Sequence, residues 1–163
     1  MSILKNFMKT DRHCRRIFPT NMVMKGATGF LRFRKRRSRD KMFPAFQFIS
    51  VTNDCNLHCQ GCWVETDDPK VYMEAGRIDI LIEAGKGQGS YFIGLLGGEP
   101  LMHKELNYIF KKHSDCYFQL FTNGTLFTRQ LAQSLRKAGN VTPLISLEGD
   151  EIVSDIRRGG HNV

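Results

Sequence analysis

One pattern repeats four times after residue 43 and constrains the fold more than any other feature of the sequence. A short apolar run is followed by a polar or glycine-rich motif and then by a segment with helical spacing of its apolar residues. The predicted strands are residues 46–51, 90–96, 116–121 and 141–147. The predicted helices between them are residues 73–86, 104–112 and 128–138. No helix is predicted after the fourth run, where the chain ends.

Strands that alternate with helices of this length are joined by right-handed crossovers and form a parallel sheet. The motif after each strand then lies at the carboxyl edge of the sheet, where open α/β sheets and barrels bind their ligands. The four motifs occupy residues 55–62, 97–100, 122–125 and 148–150. The topology therefore predicts that they converge on one rim.

The motif after the first strand contains three cysteines, Cys55, Cys59 and Cys62, with C-x3-C-x2-C spacing. Three thiolates on one short loop repel one another and are poorly solvated unless a metal binds them. Zinc sites and cubane iron–sulfur clusters normally take four protein ligands, so three thiolates leave one metal position open. A zinc site that adds His58 is the alternative, although four ligands on this eight-residue loop would be cramped. The spacing favours an iron–sulfur cluster.

The positive charge of the chain is concentrated at its N-terminal end. Residues 1–42 contain thirteen Lys and Arg against Asp11 and Asp40, a net of +11, so a total of +8 leaves −3 for residues 43–163. This segment is either a solvated basic arm or a short amphipathic helical extension, lying on the domain or on a membrane surface. Nucleic acid, anionic lipid and an acidic peptide are its candidate partners, although no recognition fold surrounds it. We divide the chain into this segment and a core at residues 43–163.

Length and composition indicate one globular unit. The chain has 163 residues and 41% apolar content, which is enough to build a core. No run reaches the length of a membrane span, and the start lacks the apolar region of a secretory signal. Cys14 and Cys116 lie far from the cluster and from each other, so no disulfide framework is predicted. We expect a cytoplasmic protein.

Taken together, these motifs resemble those of the radical S-adenosylmethionine (radical SAM) enzymes. Cys55, Cys59 and Cys62 match the family's cluster-binding triad. The Gly-Gly-Glu-Pro motif at residues 97–100 matches the one that meets the amino group of the cofactor's methionine moiety. The motifs at residues 122–124, 146–149 and 157–160 resemble those of the peptide-modifying and related branches. One difference is that the aromatic Trp63 follows the third cysteine, where the family often has an aromatic residue before it.

The resemblance implies a fold and a ligand set. The fold is a partial TIM-like barrel of six βα units, of which about the first four fit before Val163, so we expect a core truncated at its C-terminal side. The ligands are a 4Fe-4S cluster on the three cysteines and S-adenosylmethionine at the rim. The cofactor-binding residues that the resemblance implies are Gly97, Gly98, Glu99, Pro100, Asn123, Ser146, Glu148, Arg157 and Arg158.

The implied activity is reductive cleavage of S-adenosylmethionine to a 5′-deoxyadenosyl radical, which abstracts hydrogen from an unidentified substrate. A peptide is one candidate substrate, and a flavodoxin or ferredoxin is the kind of electron donor expected. No catalytic residue is assigned beyond the cluster ligands. Two alternatives stay open at this point: a zinc-stabilised binding protein that uses the same cysteines, and a truncated, inactive fragment whose basic arm docks onto a partner.

Overall fold

The structure is a computed structural model that describes residues 12–39, 43–65 and 69–159. Helices and strands alternate through most of the chain. In order, the elements are α1 (Arg12–Phe18), a π-helical segment (Pro19–Lys25), α2 (Gly26–Arg37), β1 (Phe46–Thr52), α3 (Ala75–Gly87), β2 (Phe92–Gly97), a 3-10 turn (Pro100–Met102), α4 (Leu106–Lys112), β3 (Tyr117–Thr122), α5 (Arg129–Ala138), β4 (Val141–Ile145) and α6 (Glu151–Arg158). No helix among the described residues is long and apolar enough to cross a membrane.

The strands form a parallel sheet in the order β1-β2-β3-β4. Leu95 at the centre of β2 pairs with Ile49 on one side and Leu120 on the other. The predicted α/β fold is confirmed, and the four predicted strands and three predicted helices end within two residues of the observed ones. Apolar runs and helical periodicity therefore located these elements correctly.

One face of the sheet is covered by α3 and α4. Ile93, Leu95 and Phe118 of the central strands are fully buried there, together with Ile78 of α3 and Ile109 of α4. Burial of each such side chain contributes about 1.5–3 kcal/mol relative to exposure. The opposite face is more open in the described part of the chain. This packing fixes the strand ends, and hence the positions of the loops that follow them.

The basic segment is helical at residues 12–37 and packs against the loops that precede β2, β3 and β4. Asn21 donates its side-chain amide to the carbonyl oxygens of Ser114 at 2.9 Å and Cys116 at 3.2 Å. His13 lies 3.4 Å from the carbonyl oxygen of Ala138, just before β4. These loops lie at the amino edge of the sheet, opposite the predicted rim. The domain boundary near residue 42 stays a prediction, because residues 1–11 and 40–42 lie outside the described residues.

Helix α6 shows that the prediction of no helix after the fourth strand is wrong. Its N-cap is Asp150, whose carboxylate accepts a hydrogen bond of 3.0 Å from the backbone N–H of Val153. It ends at Gly159, which adopts a left-handed conformation with φ 91°. Both capping signals are present in the sequence. Gly160, the last residue of the arginine-containing motif, lies outside the described residues.

Candidate functional site

The four motifs meet at one cavity at the carboxyl edge of the sheet, as the topology predicts. The cavity has a volume of about 420 Å³. The lining residues are Cys55, Cys59, Gly61, Cys62, Trp63, Leu96, Gly97, Gly98, Phe121, Thr122, Asn123, Ser146, Glu148, Arg157 and Arg158. Ten of the twelve residues predicted for the site are in this set, and Glu99 and Pro100 are not.

Backbone hydrogen bonds join the cysteine loop to the glycine motif. The N–H of Gly98 donates to the carbonyl oxygen of Thr52, and the N–H of Glu99 donates to that of Asp54, both at 2.8 Å. A Cβ on Gly98 would overlap the carbonyl group of Asp54. Gly97 has a backbone φ of 140°, which residues with a side chain rarely adopt. A Cβ at this position would overlap the carbonyl oxygen of Thr52. The two glycines therefore permit close approach of one loop to the other.

The Glu99 side chain lies beneath the rim and does not line the cavity. It is fully buried, and its carboxylate accepts hydrogen bonds from the hydroxyl of Thr122 at 2.8 Å and the N–H groups of Asn123 at 2.7 Å and Leu101 at 3.0 Å. Thr122 is the last residue of β3, and Asn123 follows it directly. Glu99 thus ties the end of β2 to the end of β3 and positions Asn123.

Cys55 and Cys59 are partly buried, whereas Cys62 is exposed. Burial raises the pKa of the Cys55 thiol, the nearby charges of Glu99, Cys59 and Cys62 raise it further, and a backbone hydrogen bond from Leu57 opposes them. The side-chain amide of Asn123 points its nitrogen toward Cys55 Sγ at 3.9 Å. Three adjacent thiols with mutual repulsion are a donor set that a bound cation stabilises.

The cysteine loop offers a donor set of the kind that holds an iron–sulfur cluster. Among residues 12–39, 43–65 and 69–159, no three His, Cys, Asp or Glu side chains converge closely enough to ligate one ion. Thiolate ligands of a cubane each bind a different iron, so they surround a volume and need not converge on one point. His58, the fourth ligand in the zinc alternative, is exposed and does not line the cavity. The three cysteines that do line it fit a cluster.

An arginine–glutamate group forms the other side of the cavity. Arg158 donates to Glu148 Oε1 at 2.6 Å, and Arg157 lies 3.4 Å from Glu148 Oε2. The Arg158 side chain is 8% exposed, whereas that of Arg157 is 49% exposed. Arg158 Nε is buried and has no hydrogen-bond partner among the described residues. Because buried guanidinium donors normally find acceptors, a carboxylate is the kind of ligand that would satisfy this donor.

Helix α6 also contacts the cysteine loop directly. The N–H of Gln60, between the second and third cysteines, donates to the carbonyl oxygen of Arg157 at 2.7 Å. Ser146 lies on the segment between β4 and α6, where its N–H donates to the carbonyl oxygen of Thr122 at 2.9 Å. The arginines, Ser146 and the cysteines are therefore connected through the main chain.

Several lining residues were not predicted for the site. Leu96 and Phe121 lie near the ends of β2 and β3 and give the cavity an apolar side. Trp63 lies at the edge of the cavity and is 70% exposed. A usable signal was present for Leu96 and Phe121, because both lie within two residues of a motif at a strand end. Thr122 belongs to the motif at residues 122–124 but was not among the predicted site residues, and its hydroxyl donates to Glu99.

Fold and cavity together define an α/β protein with a cysteine-lined ligand site at the carboxyl edge of a parallel sheet. The family model of the Radical SAM superfamily matches residues 49–163. The chain therefore belongs to the Radical SAM superfamily, and the predicted resemblance is confirmed. Its members are enzymes that use a 4Fe-4S cluster and S-adenosylmethionine.

Two curated relatives illustrate the sequence similarity. The chain is 31% identical over 114 residues to Fe-coproporphyrin III synthase of Methanosarcina barkeri, covering 68% of this chain and 29% of that protein. It is 35% identical over 105 residues to a probable GTP 3′,8-cyclase of Methanocaldococcus jannaschii, covering 61% and 35%. The chain thus spans about a third of the length of these relatives.

Solved structures support the fold. Streptococcus suis SuiB bound to S-adenosylmethionine superposes with a TM-score of 0.67 at 20% identity, covering 79% of this chain and 31% of that one. SuiB bound to the precursor peptide SuiA gives the same TM-score, with 80% and 31% coverage. The four-strand sheet of this chain corresponds to part of those larger folds.

Proposed function

We propose that this chain is the cofactor-binding part of a radical SAM enzyme that cleaves S-adenosylmethionine reductively. The observation that supports the proposal most directly is the shared cavity: the cysteine triad, the glycine motif and the Arg158–Glu148 pair all line it. When bound, the cluster supplies the electron that breaks a carbon–sulfur bond of the cofactor and yields a 5′-deoxyadenosyl radical for hydrogen abstraction.

Each group of residues has a part in this proposal. Cys55, Cys59 and Cys62 hold the cluster and leave one iron without a protein ligand. The main chain at residues 97–98, held against the cysteine loop, orients the amino group of the cofactor. Arg158, whose Nε has no partner among the described residues, binds the cofactor carboxylate. Glu148 then loses part of its hydrogen bonding with Arg158.

The apolar side of the cavity complements these polar groups. Leu96 and Phe121 line it, and Trp63 stands at its edge. The flat rings of Phe121 and Trp63 suit a nucleoside base. Trp63 thus takes over the adenine contact for which the family often uses an aromatic residue before the third cysteine.

The substrate is the open part of the proposal. A peptide is one candidate, supported by the SuiB structure with its precursor peptide, whereas the names of the two curated relatives refer to a coproporphyrin and to GTP. An electron donor such as flavodoxin or ferredoxin and a cytoplasmic location stay predictions.

Anaerobic reconstitution with iron and sulfide tests the cluster. We expect about four irons per chain, broad thiolate-to-iron absorption, and an electron paramagnetic resonance signal of the reduced protein that S-adenosylmethionine perturbs. Replacement of Cys55, Cys59 or Cys62 by Ala should abolish all three, because two thiolates do not hold a cubane.

Two other cysteines provide matched controls. Burial raises the pKa of Cys116 to about 12, so that thiol stays protonated, and Cys14 donates to the carbonyl oxygen of Arg136 at the amino edge. Cys14→Ala and Cys116→Ala should therefore keep the iron. Stoichiometric zinc without iron would support the zinc-stabilised alternative instead. A cluster that forms without release of 5′-deoxyadenosine under reducing conditions would support the inactive-fragment alternative.

A further inference from the structure

The outward side of the N-terminal helices carries exposed apolar and basic side chains next to each other. We call it the basic–apolar surface. Its apolar members are Met22, Val23, Met24, Phe30 and Leu31, which are 39%, 60%, 66%, 53% and 63% exposed. Its basic members are the exposed residues Arg34, Lys35, Arg37 and Arg39. Apolar residues occupy the first half of the surface, and basic residues follow directly.

The inward side of the same helices is fixed to the core. Asn21 is buried and bonded to the main chain before β3, and Lys25 donates to the carbonyl oxygen of Asp115 at 2.6 Å. Gly29 packs so closely on Gly89 that a Cβ would clash. Arg36 donates to the carbonyl oxygen of Gln88. These inward residues are four, four and seven positions apart, so the core holds one helical face and the basic–apolar surface faces away from it.

The charge of this surface is not balanced within its own segment. Residues 12–39 contain no Asp or Glu. One acidic side chain from the core approaches the segment in a described ion pair, where Lys25 and Asp115 lie 3.9 Å apart on the inward side. Within residues 12–39, no described ion pair neutralises Arg34, Lys35 or Arg37, and Asp11 and Asp40 lie outside the described residues. An external anionic partner would match this charge. The partner must also accept exposed aliphatic side chains.

We propose that the basic–apolar surface docks this protein peripherally on an anionic lipid bilayer. Lipid headgroups supply the negative charge that Arg34, Lys35, Arg37 and Arg39 require, and the acyl boundary accepts Phe30, Leu31 and the neighbouring apolar side chains. A nucleic acid would match the charge and leave Val23, Met24 and Leu31 in water, because these side chains offer no flat ring for stacking. The bilayer matches both properties.

Docking in this way also gives the molecule a defined orientation. The helices contact loops before β2 and β3, at the amino edge of the sheet, whereas the cysteine-lined cavity lies at the carboxyl edge. A membrane at the basic–apolar surface therefore leaves the cavity facing the aqueous side. This inference does not depend on the proposed chemistry.

Vesicle flotation of the full chain tests the proposal, because floating vesicles separate bound protein from aggregates. We expect binding to phosphatidylcholine vesicles with about 30 mol% phosphatidylglycerol, weak binding to phosphatidylcholine alone, and weaker binding as salt increases. The charge reversal R34E/K35E/R37E should weaken binding about tenfold or more, and F30S/L31S should weaken it by a comparable factor.

The control is a matched reversal of three exposed basic residues elsewhere, K104E/K111E/R129E, which should bind within about twofold of the original chain. Circular dichroism spectra and thermal unfolding of every variant check that the fold is retained. Equal binding to neutral vesicles, or no loss in either surface variant, would overturn the proposal. Displacement of the vesicles by a short single-stranded RNA at equal phosphate concentration would assign the surface to nucleic acid and would overturn it as well.

Discussion

Gly98 has no room for a side chain, because the carbonyl group of Asp54 occupies the place where a Cβ would lie. The same carbonyl accepts the N–H of Glu99, and Asp54 immediately precedes Cys55. A side chain at residue 98 would therefore push on the cysteine loop itself. The effect of such a change extends beyond the cofactor to the cluster ligands.

We predict that Gly98→Ala lowers stability by about 1–3 kcal/mol and reduces the iron content after reconstitution. Gly76→Ala in α3 is the matched control, since a Cβ there has open space and Ala favours a helix, so this change should lower neither property. Urea unfolding and iron determination measure both effects. A Gly98→Ala variant with full iron content that lost only the response to S-adenosylmethionine would show that the glycine serves the cofactor alone.

Some site residues can be predicted from the sequence alone, and others cannot. The three cysteines and Gly98 are recognisable because their chemistry and spacing are local. The buried position of Glu99 is not, because it depends on donors from Thr122 and Asn123, which lie on the next strand. The Gly-Gly-Glu-Pro sequence is compatible both with a Glu99 carboxylate that faces a ligand and with one that faces the protein interior. Three-dimensional hydrogen bonding decides between them.

Helices α3 and α4 are connected by a charged cluster of Asp79, Lys112 and His113. Asp79 of α3 accepts hydrogen bonds from Lys112 and from His113 Nε2, the latter at 2.9 Å. Burial alone would raise the pKa of Asp79, but the hydrogen bonds from Lys112 and His113 outweigh it and hold the pKa below its usual value. A lowered pKa in the folded state means that the ionised carboxylate stabilises the fold.

We predict that Asp79→Asn lowers the free energy of unfolding at pH 7 by about 2 kcal/mol. The difference from the original chain should persist above the ordinary pKa of Asp, 3.8, and disappear as the pH falls through the lower pKa of the folded state. Urea unfolding from pH 7 to about pH 3 measures it. Glu65→Gln, at an exposed carboxylate, is the control and should show a much smaller difference. If the stability difference between Asp79→Asn and the original chain did not change with pH, the destabilisation would come from altered packing and not from the lost charge.

The elements themselves differ in how far sequence predicts them. Apolar runs in the sequence predict strands β1 to β4, and apolar residues with helical spacing predict α3 and α5. Helix α6 was missed because it is eight residues long and exposes Ile152 and Ile156 at 71% and 72%, so its apolar residues do not trace a buried face. Its caps, Asp150 and Gly159, are local signals in the sequence, and α6 carries both arginines of the site.

At the scale of the whole molecule, β4 is an edge of the described sheet and has exposed apolar residues. Leu144 and Ile145 are 37% and 50% exposed, and Leu147 just beyond the strand is 65% exposed. In the described residues, β4 pairs with β3 alone. Exposed apolar edge strands favour pairing with another chain.

We predict that this chain self-associates with increasing concentration and that Ile145→Lys reduces the association, because a charge on an edge strand opposes pairing. Ile80→Lys is the control: Ile80 is 69% exposed on α3, away from the strand edge, and its replacement should have little effect. Sedimentation velocity over a range of concentrations measures both variants. Equal reduction by the two changes would indicate general solubility rather than edge pairing.

The hydrogen bonds around the cysteine loop have a consequence for how the protein matures. Gly98 and Glu99 hold the loop from β2, and Gln60 holds it from α6, through bonds between main-chain atoms. Zinc fingers, in contrast, obtain their fold from the metal and unfold without it. Here main-chain hydrogen bonds to β2 and α6 hold the cysteine loop, so we expect the loop to keep its conformation before a cluster binds. Cluster assembly would then take place on an already folded protein.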